Sequence, residues 1–354
     1  MIQEAYWKTK LLQEFSGSLN EGNLTTDLYK FLKDRGVEQD VINSILASLK
    51  DNSVEKEIES IVERVDAKNK NLFKSLKNST DRMKCKISDK IKFLKIIQSE
   101  SILNESIVFK TQGTKINLKE IVDITKIPES IIPYIENLVY DLFDLQISKK
   151  GEGRTGVGKG EILLAVLGNG SLGTNCGGDI CVEENKQQIG AEIKSVNGVI
   201  STLGTDLFDK NYSANTIIKL AKKQGVIVTK EQLGKTKFFD EYAKRPEEMY
   251  KVLKIMFRDR ISSTYPIKKK LEKIFDKVLT FDENANVMKE KFSQFIQDIG
   301  VEIFDEYKKL EGWKHLILIT KDFIGSYQKG SQAKYSLVGF LSNGSATPQV
   351  AIKG

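Results

Sequence analysis

The stretch GGDICVEENKQQIGAEIKS, residues 177–195, holds two apolar arms about a polar centre. ICV and IGAEIK carry the β-branched and small apolar residues of buried strands, and the Glu-Asn-Lys-Gln between them reads as a turn. A turn centred on Asn185 and Lys186 makes the two arms a hairpin and sets Asp179 directly across from Glu192. Cβ atoms of such cross-strand neighbours lie about 4.5–5.5 Å apart, so two carboxylates there repel unless something positive stands between them. Because side chains alternate along a strand, Glu192 and Lys194 share one face while Ile193 packs on the other. Two acids and a lysine are thereby expected to converge on one small volume, a site suited to a divalent cation.

Working outward, the glycine-rich GEGRTGVGKGE leads into EILLAVLG, apolar at every position from 162 to 167. That is the composition of a helix buried all round, with Glu161 in its first turn. Farther upstream the period is helical as far as about residue 145. TTDLYKFLKDRG stops at Gly36, VEQDVINSILASLK and VEKEIESIVERVDAKNKNLFKSLK repeat apolar residues at three and four, and PESIIPYIENLVYDLFDL enters a helix at a proline. Downstream, helical patterns return over about 206–311, and HLILIT, YSLVGFLS and PQVAIK read as strands. The expectation is a mixed α/β (α+β) chain with an all-helical N-terminal domain, residues 1–145. A second domain, residues 146–354, is built on a central mixed sheet with a helical insertion at about 206–311.

Composition narrows the chemistry. The 354 residues are 40% hydrophobic, enough for ordinary cores, and contain no run of 18 apolar residues. The first 30 residues carry charges throughout and no apolar signal core, so neither a membrane span nor a secretory leader is expected, and a cytoplasmic location follows. Three cysteines without CxxC spacing and a single histidine, His315, are too few for a zinc cage or a histidine-based triad. Any metal should therefore be bound by oxygen. Cys176 and Cys181 read as small buried apolar residues and His315 as a strand-end polar residue. The net charge of +7 is uneven: residues 211–280 carry 17 Lys and Arg against 8 Asp and Glu, directly after an acidic centre. A polyanion suits the basic part and a cation the acidic part.

Mg²⁺ prefers one or two carboxylates, with water and substrate phosphate completing its octahedral oxygen shell. A lysine beside it, with its pKa lowered by burial and a neighbouring cation, would orient or deprotonate an attacking water. These residues resemble the PD-(D/E)xK nuclease superfamily, to which many restriction, repair and phage nucleases belong. Asp179 matches its first acid, Glu192 and Lys194 its (D/E)xK triplet, and Glu161 the further acid on the preceding helix. Gly178 stands where the name-giving proline would be, and the match covers about residues 150–200.

The resemblance implies a restriction-endonuclease-like core, with the late strands completing it, and a metal-dependent DNA endonuclease. Its cation would be Mg²⁺, replaceable by Mn²⁺, held by Asp179, Glu192, Glu161 and the backbone carbonyl of Ile193. DNA is the implied partner and a homodimer a further expectation. Phosphate contacts are assigned to Arg154, Lys159, Lys222, Lys223, Lys251, Lys254, Arg258, Arg260, Lys268, Lys269 and Lys270. Two rivals stand beside this reading. Gly153 to Lys159 matches the GxxxxGK phosphate loop of NTPases, with DLFDLQIS as its preceding strand, although Gly160 replaces the metal-binding Ser or Thr. The other rival is a nuclease-like fold used only for DNA binding or as a structural part.

Overall fold

The computed structural model describes residues 24–66, 69–146, 156–173, 175–196, 198, 200, 214–234, 245–260, 267–339 and 349–354. The first half supplies helices α1 (Leu24–Asp34), α2 (Gln39–Asp66), α3 (Lys70–Arg82), α4 (Ile87–Ser99), α5 (Glu105–Val108) and α6 (Ile135–Phe143). α1 ends where the sequence places a stop, at Gly36, whose φ of +71° suits glycine. The side chain of Asn69 accepts the Leu72 amide at 2.9 Å and starts α3 after the break from α2. Pro128 and a 3₁₀ turn over Glu129–Tyr134 lead into α6.

The strands are β1 (Thr114–Lys115), β2 (Ser171–Leu172), β3 (Ile180–Glu184), β4 (Gln187–Lys194), β5 (His315–Ile319), β6 (Phe323–Tyr327), β7 (Lys334–Gly339) and β8 (Gln349–Lys353). Six of them form one mixed sheet in the order β1-β6-β5-β4-β3-β2. β4 and β5 run parallel, and the other neighbours are antiparallel. Parallel neighbours need a crossover, and here the chain between Lys194 and His315 provides it. That crossover is the helical insertion and contains α8 (Ala214–Lys223), α9 (Lys230–Gly234), α10 (Pro246–Met256), α11 (Lys268–Val278) and α12 (Ala285–Glu311).

The sheet separates two cores. Ile180, Val182, Ala191, Ile193, Ile317, Ile319 and Ile324 face one core with the N-terminal helices and α7 (Glu161–Leu167). Leu316, Leu318 and Tyr327 face the other, with the insertion helices and the β7-β8 hairpin. α7 has only seven residues, too short to stand alone, but Ile162 to Leu167 are all buried. Each large apolar side chain so buried contributes about 1.5–3 kcal/mol, and this holds the helix in place.

Three expectations need correction. The N-terminal half is not wholly helical, because Thr114–Lys115 extend the sheet at its edge beside β6. β6 was not expected, since Gly325 and Ser326 interrupt its apolar pattern, yet Phe323–Tyr327 turn straight back on β5. β6 therefore takes the place beside β5, and YSLVG and QVAIK do not complete the central sheet. They pair instead as the separate β7-β8 hairpin against α12. Gly300 makes that contact possible: a Cβ there would come within 2.2 Å of the Tyr335 ring.

A half-buried arginine ties α2 to the sheet side of the molecule. Arg64 Nη1 donates to the carbonyls of Gly170 (2.7 Å) and Ala165 (3.3 Å), and Nη2 to those of Val166 and Ile97, both at 3.2 Å. The carbonyls at the C-terminal end of α7 lack intrahelical partners, and a cation there also meets the negative end of the helix dipole. Burial pushes the guanidinium pKa down to about 10, still well above neutrality. Arg64→Met is expected to lower the unfolding free energy by about 1.5–3 kcal/mol in urea denaturation. A change below about 0.5 kcal/mol would be that of an ordinary surface substitution and would remove Arg64 as the brace.

Candidate active site

The hairpin folds as its residues require. Asn185 and Lys186 both have positive φ, +50° and +61°, the backbone of a tight hairpin turn. The ladder pairs Glu184 with Gln187 and continues to Ile180 with Ala191, so Asp179 and Glu192 face each other one step beyond its end. There the regular pairing gives way. The Asp179 amide donates to the Ala191 carbonyl at 2.9 Å, its carbonyl accepts from Gly173 at 3.0 Å, and its Oδ2 accepts the Ile193 amide at 2.9 Å. Asp179 is thus fixed at backbone and side chain alike.

The loop before it explains two features of the sequence. Gly178 has φ +77°, which proline cannot adopt, and a Cβ on it would lie 2.6 Å from the Ala191 carbonyl oxygen. Glycine at position 178 is therefore what this backbone needs. Cys176 and Cys181 are not separate buried thiols as expected: they form a disulfide, their Cα atoms 5.5 Å apart. The fold-back at Gly177 and Gly178 brings residues five apart within bridging range, a closure that the search for CxxC spacing could not reveal. Asp179 lies inside the bridged loop.

Glu192 is buried at 3% exposure, on the sheet face opposite Ile193. The Lys194 ammonium contacts Glu192 Oε1 and lies 3.6 Å from Asp179 Oδ2. From the insertion, the hydroxyl of Tyr307 on α12 also donates to Glu192 Oε1. Glu161 opens α7, and its Oε1 accepts the Gly158 amide at 2.8 Å. The fold therefore assembles Asp179, Glu192, Lys194 and Glu161, and adds Tyr307. Tyr307 was not found in the sequence because it occupies an ordinary apolar position of an amphipathic helix. Nothing but tertiary packing distinguishes it from its neighbours.

Electrostatics within this group follow from burial and from three acids around one base. Burial raises the Glu192 carboxyl pKa, with Asp179 adding to the rise and Lys194 opposing it. Burial, then the charge of Asp179, push Glu161 up to about 7 against the opposing Gly158 amide and Lys194. Lys194 departs from expectation. Burial pulls its pKa down, but Asp179, Glu192 and Glu161 outweigh that, and it titrates above the ordinary lysine value. Its neighbours are anions, where the sequence reading had placed a cation, so it stands as an ammonium between carboxylates. All donors around it are oxygens, which suits a hard cation. Among the described residues no group of three or more His, Cys, Asp or Glu side chains is arranged to hold a metal ion.

Other expected residues fall elsewhere. Gly153, Arg154 and Thr155 of the GxxxxGK loop lie outside the described residues, and Arg260 ends a 3₁₀ turn. Lys159 pairs with Asp144 at 3.1 Å. Of DLFDLQIS, the described residues up to 146 are the end of helix α6 and the turn after it and not the strand that a phosphate loop follows. Lys222 and Lys223 end α8. On α10, Lys251 pairs with Glu247 at 2.7 Å and Lys254 is exposed. Arg258 braces α11 through Glu272 (2.8 Å) and Asp276 (3.1 Å). Lys268 and Lys270 pair with Glu272 (3.8 Å) and Glu302 (3.0 Å), while Lys269 is exposed. None of these described side chains shares a hydrogen bond or ion pair with the four site residues. His315 is wholly buried, with Nδ1 2.8 Å from Ser326 Oγ and Nε2 3.3 Å from Glu184, which also pairs with Lys314 at 2.5 Å. It joins β3, β5 and β6.

No protein-family model, no curated protein and no solved structure matches the chain. Among the described residues no helix is long and apolar enough to cross a membrane.

The titration of Glu161 has a consequence for stability. Its folded pKa of about 7 exceeds the ordinary 4.5, so between these values the folded chain binds the extra proton and stability falls as pH rises. Without divalent cation, wild type should lose on the order of 1–3 kcal/mol relative to Glu161→Gln between pH 5 and pH 8. Urea unfolding of both proteins across that range measures it, and parallel curves would contradict the raised pKa.

Proposed function

We propose that this chain is a Mg²⁺-dependent DNA endonuclease of PD-(D/E)xK type, acting on phosphodiester bonds at Asp179, Glu192, Lys194 and Glu161. The observation that carries the reading is the convergence of Asp179, just before β3, and Lys194, at the end of β4, 3.6 Å apart, on the buried Glu192. Burying a charge is costly unless it is paired, and three acids gathered about one base leave an anionic excess that a divalent cation would neutralise. Asp179 and Glu192 would hold the cation, with Glu161 and the Ile193 carbonyl as further oxygens. A cation bound there supplies a lowered water pKa and neutralises charge on a phosphate oxygen.

The chain's own groups have separate tasks. The Ile193 amide orients Asp179, so that the acid keeps one direction before any ligand arrives. Lys194 keeps its proton and acts by orienting water or by countering charge on the phosphate, because its raised pKa makes it a poor base in this state. The insertion helices present Lys222, Lys223, Lys254 and Lys269, and the paired Lys251, Arg258, Lys268 and Lys270, as phosphate contacts. Exposed ion pairs are worth only about 0–1 kcal/mol, so a polyanion can replace their carboxylate partners.

Incubation of the purified protein with supercoiled, linear and single-stranded DNA in Mg²⁺, Mn²⁺ or EDTA tests the reading. Cleavage should require the divalent cation. Asp179→Ala and Glu192→Ala should abolish it with folding intact, and Lys194→Ala should slow it by roughly 10²-fold or more while still binding metal. Full activity in either carboxylate variant would overturn the assignment. Replacing Lys268, Lys269 and Lys270 together by Gln should flatten the salt dependence of DNA affinity by up to about three units of log–log slope. The cleavage rate at saturating DNA should stay the same. Wild-type affinity and slope would mark this cluster as a solvated helix end.

A further inference from the structure

Resting on that reading of Glu192, we infer that Tyr307 is a positioning residue that decides which oxygen of Glu192 meets the cation. Tyr307 and Lys194 both donate to Oε1 of Glu192, one from α12 and the other from the same strand. Two donors on one oxygen leave Oε2 as the oxygen with its lone pairs directed elsewhere. The terminal torsion of a glutamate is broad and nearly two-fold, so an unheld carboxylate would present either oxygen or both. Lys194 alone is a weak anchor, since its ammonium also lies against Asp179 and its four-carbon stem is flexible.

The phenol is a firmer one. Its ring is buried at 5% exposure and packs edge-on against Trp313 (centroids 5.5 Å apart), which in turn packs edge-on against Phe304 (5.1 Å). Phe304 and Tyr307 project from the same helix, and Trp313 lies just beyond its end at the entry to β5. The donor's position is therefore set by the crossover itself. The insertion, beyond whatever its lysines contact, supplies part of the site.

The experiment uses the full chain and Mn²⁺ binding followed by calorimetry without DNA, so that its readout is independent of cleavage. Tyr307→Phe keeps the ring against Trp313 and removes only the hydroxyl; it should weaken Mn²⁺ about 10-fold or more, as loss of a hydrogen bond to a metal-binding carboxylate does. The Mg²⁺ concentration giving half-maximal cleavage should rise in parallel. Tyr307→His, which restores a ring donor, should recover part of the loss. Trp313→Phe loosens the packing that aims the hydroxyl but leaves the hydroxyl in place, so it should lower thermal stability and weaken Mn²⁺ clearly less than Tyr307→Phe does. Wild-type Mn²⁺ affinity in Tyr307→Phe, with loss in Glu192→Ala, would overturn the role of Tyr307 and leave the site standing. Equal loss in Trp313→Phe would also overturn it, by making the effect one of packing. If Tyr307→Phe does not fold, failure of a folded Tyr307→His to bind more weakly than Trp313→Phe would do the same. Unchanged binding in Glu192→Ala would overturn the metal site itself.

Discussion

The parallel ladder between β4 and β5 is the constraint on which the rest depends. Glu192 pairs in register with Leu316 and Lys194 with Leu318, and no short turn can join strands that run the same way. The chain must leave β4 at Lys194, pass over one face of the sheet and return at His315. It passes over the face that carries Glu192 and Lys194. The opposite face is closed by α7 and the N-terminal helices, which bury Ala191 and Ile193. The acids and the lysine are consequently roofed by α12, and the length of the insertion follows from having to build a core of its own on that side.

Such placement sets an energetic conflict. A carboxylate at 3% exposure is tolerated only with partners, and Glu192 has two, Lys194 and Tyr307, on one oxygen. Burial first, and then the charge of Asp179, raise the pKa of both Glu161 and Glu192, a rise that the one ammonium opposes but does not cancel. A protein can retain such a cluster when a ligand relieves it, and sites of this kind concentrate perturbed carboxylates. Arg64 and the disulfide then have intelligible places: one fixes the far end of the Glu161 helix, the other encloses the loop that bears Asp179.

Much of this was legible because short-range rules govern it. Asn185 and Lys186 fix the hairpin turn, the turn fixes the register, and period-two alternation assigns Ile193 and Lys194 to opposite faces. The apolar run 162–167 announced a buried helix. What escaped depends on contacts distant in sequence. Tyr307 lies 115 residues from its partner. Cys176 meets Cys181 only because two glycines take positive φ. β6 hides behind Gly325 and Ser326, and the fate of the last two strands was decided by β6 occupying the place beside β5. The direction of the Lys194 shift was missed because it is a balance of burial against three surrounding acids, which a linear motif does not display.

The central claim is that Asp179 and Glu192 share a divalent cation in the volume now bridged by Lys194. A crystal structure of the full chain grown with Mn²⁺, with anomalous scattering recorded for the metal, tests it most directly. The account predicts an anomalous peak within about 2 Å of one oxygen from each carboxylate, with the Lys194 ammonium moved off Glu192. A Mn²⁺-soaked crystal with Lys194 still seated between the two acids and the metal bound elsewhere would contradict it.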